Sequence, residues 1–246
     1  MGDFANLIAP FFSTPQNYSQ MRKKIAGFAV YEVYFITLFL RDIPQIGHLF
    51  RSIETYKSFG ALLATFPNSG SLNLAGLIVA VLVAVLCHVA QLYNRISDLF
   101  GIRRRFDRDH ILVPLATRAG VGRAQEKVES ILKIRHSVMD DVFYRYASST
   151  DVAPLAGRHN IEQALGAWSW FWAGVECFIF LILGALIACL FSATVLAWAF
   201  VILASIVFIG TTLQHSRLPK YARSQVDAIA SDPAAIQAIK GRFDAL

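Results

Sequence analysis

The chain has 246 residues, 55% of them hydrophobic and only 16% charged, with a formal net charge of +6. Together with a mean hydropathy of +0.48, this lies outside the range of ordinary soluble domains and predicts an all-α integral membrane protein. The positive charge does not call for nucleic acid, because basic residues on the cytoplasmic side and contact with anionic lipid account for it.

In chain order, residues 1–24 are expected to form a cytoplasmic amphipathic segment. Phe4, Leu7, Ile8, Phe11 and Phe12 recur at helical spacing ahead of Pro15, as in a helix lying on the inner leaflet. No basic stretch followed by an apolar core and a cleavage site marks a signal peptide, so the first span is expected to act as its own insertion signal.

Residues 25–92 hold the first two spans, about 25–40 and 74–92, joined by an external loop. The first is short and carries Glu32, while the second has only His88 and Gln91 as polar residues, both near its end. An interfacial or re-entrant helix is the alternative for 25–40, since a bilayer core of about 30 Å takes roughly 20 apolar residues. Residues 168–213 read as a membrane hairpin, spans three and four. Its apolar runs are interrupted by Glu176, Gly184 and a tight turn near Phe191 and Ser192.

Between these pairs, residues 93–167 form a cytoplasmic helical region. The second span is expected to run on towards Gly101. A break at Pro114 and Gly120–Gly122 then precedes one long helix from about Arg123 to Tyr146, and Asn160 with Gln163 reads as a capping box for the third span. Val128, Ile131, Leu132, Val138, Met139, Val142, Phe143 and Tyr146 fall on one side of the long helix. A region this thin encloses little core, so that face is expected to meet a second copy or a cytosolic partner. Residues 214–246 form a cytoplasmic tail, with Asp232 and Pro233 opening a last small helix. The architecture is thus a four-helix membrane protein with a small cytoplasmic helical layer.

The 23 Lys and Arg residues set the orientation: three precede the first span, three lie between the first and second, twelve between the second and third, and five after the fourth. Both termini are therefore expected in the cytoplasm of a cell with this inner-membrane, multi-pass protein.

Few residues carry chemistry. Glu32, His88 and Glu176 are the ionisable groups within spans, all in the cytoplasmic half of the bilayer at roughly 5 to 12 Å from the inner helix ends. They are expected to meet as an intramembrane polar cluster, either a proton- or ion-responsive site or a clamp that fixes helix packing. Arg103, Arg104, Arg105 and Arg108 form a basic juxtamembrane cluster for lipid headgroups or a partner, salt-bridged to Asp107 and Asp109. Asp140 and Asp141 are expected to pair with Arg135 and Arg145 on their own helix. Cys87, Cys177 and Cys189 all fall in spans and point to neither disulfides nor a metal site. No cofactor, no metal and no catalytic constellation is expected.

The run from Arg103 to His110 leaves six, five or four residues between Arg103, Arg104 or Arg105 and the histidine. It resembles the Arg–His motif of HEPN ribonucleases, which implies an RNA phosphate held between dimerised helices. With 16 arginines and six histidines in the chain, roughly one such match arises by chance. The plan of few spans with a cytoplasmic layer is similar to that of small bacterial membrane proteins of antiviral defence, a likeness of architecture alone.

Two function classes follow. One is a non-enzymatic sensor or effector, a homo-oligomer or one with a cytosolic protein partner, in which that contact changes helix packing or permeability. The other is a subunit of an ion channel or small-solute transporter lined by the Glu/His cluster.

Overall fold

The computed structural model describes residues 14–54, 73–147 and 155–246, and among these every regular element is helical. The N-terminal Phe/Leu/Ile segment, most of the external loop and the stretch 148–154 lie outside the described residues. In chain order the elements are α1 (Tyr18–Leu40), α2 (Pro44–Glu54), α3 (Leu74–Val89), α4 (Leu92–Phe100) and α5 (Ile102–Asp107). A π turn (Arg108–Leu112) leads into α6 (Val113–Arg118), followed by α7 (Ala124–Ile131), a 3-10 turn (Leu132–Ile134) and α8 (Arg135–Met139). A second π turn (Asp140–Tyr144) passes into α9 (Arg145–Ala147), and α10 (Arg158–Leu190), α11 (Thr194–Ala230) and α12 (Pro233–Asp244) complete the chain.

The chain divides into two compact units. The apolar unit comprises Lys23–Leu92 and Phe171–Thr212; Tyr93–Trp170 and Leu213–Leu246, with the start of α1, form the polar unit.

In the apolar unit the core joins Ala29, Val33, Ile36 and Leu40 of α1 to Ala80 and Ala84 of α3. Phe180, Leu181, Ala185 and Ala188 of α10 and Ala197, Phe200 and Ala204 of α11 complete it. Its frequent alanines let helix backbones approach closely, the packing that apolar solvent favours. A Cβ on Gly184 would stand 3.1 Å from Ile36 Cγ2 and 3.3 Å from the Phe200 ring, and one on Gly174 would collide with the Thr211 hydroxyl. Asn73 caps α3 by accepting a hydrogen bond from Gly76 N at 3.0 Å.

Two of the described helices, α10 and α11, are long and apolar enough to cross a membrane. α1 holds Arg22, Lys23, Lys24 and Glu32, and α3 has 16 residues, so neither meets that description by itself. The outer sides of α10 and α11 remain apolar and open, with Leu190 80%, Val195 84% and Trp198 67% exposed, as expected of surfaces solvated by lipid. Their hydroxyls turn inward on their own helices: Ser205, Thr211 and Thr212 donate to the Val201, Val207 and Phe208 carbonyls at 2.8–2.9 Å. The two helices join at Ser192, whose φ is +59°. Ala193 N donates there to Ala188 O at 2.8 Å, closing the end of α10.

From Gln91 onward the chain departs from the sequence reading in four places. The second span does not run straight on to Gly101, because the chain breaks at Gln91, φ +49°, before α4 begins. Pro114 does not break the chain either. It occupies the first turn of α6, and the wider π turn just before it relieves the clash that a proline ring makes with the preceding carbonyl. The helix ends instead at Gly120, φ +71°. The expected helix from Arg123 to Tyr146 is a succession of α, 3-10, α and π turns. Finally, Asn160 lies inside the first turn of α10 rather than capping it, and its Nδ2 donates to Ser224 Oγ of α11 at 3.2 Å. The last helix follows its sequence signal: Asp232 accepts from Ala234 N at 2.8 Å and Ala235 N at 3.3 Å, with Pro233 in the first position.

Candidate functional site

In the apolar unit, the structure brings Glu32 of α1 and Glu176 of α10 within electrostatic reach of each other. Glu176 is 3% exposed, and both residues have a buried Oε2 with no hydrogen-bond partner among the described residues. His88 stands apart, exposed near the end of α3. Its neighbour Cys87 faces the acidic pair instead, within electrostatic reach of Glu176, and Cys177 lies similarly close to Glu32. Cys87 continues the small-residue face of Ala80 and Ala84 at a spacing of three, a signal available in the sequence. A carboxyl pair in an apolar surrounding can share a proton or hold a cation.

A second cluster is built into the polar unit. At the corner of α4 and α5, Gly101 takes φ +62°, and Arg103 N donates to Ser97 Oγ at 3.2 Å. This turns the Arg103 side chain inward. One guanidinium nitrogen, Nη1, donates to Tyr18 Oη and to Asn94 Oδ1, each at 3.2 Å. The guanidinium also lies 5.6 Å from the Tyr18 ring centroid, and Tyr144 is within its electrostatic reach.

One turn along α5, Asp107 is 6% exposed and faces Arg135 of α8, itself 5% exposed. Arg135 Nε stands 3.7 Å from Asp107 Oδ2, and its Nη2 lies 3.6 Å from Asp98 Oδ1. Arg135 Nη2 also donates to His136 Nε2 at 3.3 Å. An arginine always donates, so His136 accepts as the neutral imidazole.

The electrostatics follow from burial. Desolvation raises the Asp107 carboxyl from 3.8 to about 6, against the opposing pull of Arg103 and Arg135. Burial of its hydroxyl end, followed by Asp107, pushes Tyr144 up to about 12, while 38% of the residue's surface stays exposed. His136 is lowered from 6.5 by burial and then by Arg135 and Arg103. The cluster therefore consists of two permanent cations gripping a carboxyl that titrates below neutrality. It holds α1, α4, α5 and α8 together and contains no nucleophile activated by a base.

The four arginines of the juxtamembrane run separate. Arg103 is an internal strut rather than a headgroup ligand, and Arg108 bonds Asp109 at 2.6 Å and Glu129 at 2.9 Å. Arg104 and Arg105 remain exposed. Asp141 forms an ion pair with Arg242 of α12, 2.8 Å from Nε, rather than with a cation of its own helix. Val128, Ile131, Leu132, Val138, Met139, Val142 and Phe143 are all buried and Tyr146 partly so. The chain's own helices, with α12 packed on the second π turn, cover the apolar face that was expected to need a partner. Arg135, expected to pair with Asp140 and Asp141 on its own helix, faces Asp107 and Asp98 instead, in keeping with its place four residues after Ile131 and three before Val138 on the buried face. No group of three or more His, Cys, Asp or Glu suited to a metal occurs among the described residues.

Fold and site together define an all-helical protein in which two helices can cross a membrane and a polar helical unit closes around buried ion pairs. The chain belongs to the YmfE protein family, whose profile matches residues 17–244. It is 28% identical over 179 residues to the uncharacterized protein YmfE of Escherichia coli (strain K12), covering 72% of this chain and 71% of that relative. No solved structure matches it.

Proposed function

We propose that the chain is an inner-membrane sensor or effector without catalytic activity, in which self-assembly or partner binding at the polar unit alters the packing or permeability of the spans. The course of α1 carries this reading. Its first residue, Tyr18, takes a hydrogen bond from Arg103, and Glu32 on the same helix lies beside Glu176. α1, which contributes residues to both clusters, is in this reading the element through which a shift of the Arg103 cluster acts on the carboxyl pair. In this reading α1 and α3 also span, giving four crossings, and the termini and polar unit are cytoplasmic because most basic residues lie there.

Hydrogen exchange on the protein in mild detergent tests the coupling. Tyr18→Phe and Arg103→Gln should raise exchange in α1 beyond Val33 and around Glu176. Changes confined to the polar unit in both variants would refute it.

A second reading, a subunit of an ion channel or small-solute transporter, is favoured by the unbonded carboxyl oxygens of Glu32 and Glu176. It requires that vesicles holding the protein pass protons or cations and that Glu176→Gln abolish this flux.

A further inference from the structure

Apart from both clusters, the polar unit contains an open cleft of about 600 Å³, within the size range of small-molecule sites. Ser216, Lys220, Arg223, Ser224 and Asp227 line it from one face of α11, and His110 faces them from the first π turn. The spacing of four, three, one and three residues keeps all five on a single helical stripe. Pro219, inside the helix, adds an apolar edge.

The charge on this stripe is unbalanced. Arg118 takes the Asp227 carboxylate in an ion pair. Among the described residues, neither Lys220 nor Arg223 has a carboxylate within salt-bridge distance. The hydroxyls are also disposed to donate on one side only. Ser224 Oγ accepts from Asn160 at 3.2 Å and keeps its own proton available, whereas Ser216 Oγ spends its proton on Leu213 O at 2.7 Å. His110 is held by an edge-to-face contact with Phe106, ring centroids 5.0 Å apart. Burial lowers its pKa, and Arg223 and His215 lower it further against the pull of Asp109.

A cleft with two cations lacking carboxylate partners, a free hydroxyl donor and an imidazole suits a tetrahedral oxyanion, whose several oxygens can take all of these donors at once. We propose that this cleft binds a phosphate-bearing ligand, with Lys220, Arg223 and Ser224 as the phosphate contacts and His110 as the opposing wall. A lipid phosphodiester headgroup and a soluble phosphate ester share this chemistry. The inference does not depend on the coupling role of α1.

The test uses the full-length protein in two arms. In the first, the protein is purified from vesicles containing phosphatidylglycerol and phosphatidylcholine, and retained lipid is counted by native mass spectrometry. In the second, the protein in phosphatidylcholine nanodiscs is titrated with glycerol 3-phosphate and with inorganic phosphate. Parent protein should retain phosphatidylglycerol selectively or bind the soluble ester saturably, and the arm that responds identifies the source. Loss of one charge-assisted contact should weaken that binding about tenfold, so Lys220→Gln and Arg223→Gln should each do so and the double variant should abolish it. The exposed pair Lys133→Gln/Lys240→Gln should leave it within about twofold. Circular dichroism melting identifies any variant that fails to fold, in which case the single variants decide. Binding in neither arm, or binding unaffected by both Lys220→Gln and Arg223→Gln, overturns the proposal.

Discussion

Arg135 and Asp107 face each other across the interior of the polar unit with 3.7 Å between Nε and Oδ2, at a place where the surrounding helix face is otherwise apolar. Breaking such a buried pair by removing one partner leaves the other charge without compensation, which costs about 3–5 kcal/mol. Arg135→Ala should therefore lower the melting temperature sharply. The double variant Arg135→Met/Asp107→Leu should be more stable than the Arg135→Ala single variant, because it leaves no orphaned charge. Strictly additive losses in the corresponding double-mutant cycle would refute the pairing.

The raised Asp107 carboxyl links stability to pH. Its folded value of about 6 exceeds the ordinary 3.8, so the folded state holds this proton more tightly than the unfolded chain. The stabilisation is complete below about pH 4 and is lost as pH rises through about 6. At about 1.4 kcal/mol per pH unit this amounts to on the order of 3 kcal/mol. Asp107→Asn should flatten the stability profile between pH 4 and 7, measured by chemical denaturation in detergent. A variant whose profile runs parallel to that of the parent would assign the dependence to another group.

Close helix approach in the apolar unit depends on glycine. Gly184→Leu, facing Ile36 and Phe200 at 3.1–3.3 Å, should destabilise by about 1–3 kcal/mol or more. Gly210→Ala, with nothing within 4 Å of the added carbon, should be neutral or stabilising by about 0.5–1 kcal/mol. Equal melting temperatures for the two variants would mean that the α1, α10 and α11 packing is not as described.

The orientation is open to single-cysteine labelling in a cysteine-free background. A membrane-impermeant reagent applied to intact cells should modify Gln45→Cys and spare Arg118→Cys, both at exposed positions. The reverse pattern would place the polar unit outside and remove the cytoplasmic part of the proposal.

The helical class and the two long apolar helices could be read directly from the sequence. Apolar runs uninterrupted by charge around Gly184 and Ser205 have few ways to satisfy their backbone polar groups other than as helix in lipid. Capping at Asp232 and Pro233 was legible for a similar reason, since it involves neighbours only two or three residues apart. Tertiary structure decided everything that depends on which turn of a helix faces which neighbour. His88 and Cys87 are adjacent in sequence and differ by about 100° around α3, and only packing against α1 and α10 put the thiol rather than the imidazole beside the acidic pair. Periodicity placed Ile131, Leu132 and Val142 on one face, but whether that face would be covered by the chain or by another molecule depended on α12, some 90 residues further on. Arg103 and His110 share a short basic run, yet the corner at Gly101 turns the first to Tyr18, and the π turn after Asp107 carries the second to the cleft lined by Lys220 and Arg223. Local pattern determines which side chains share a surface, and long-range packing determines what that surface meets.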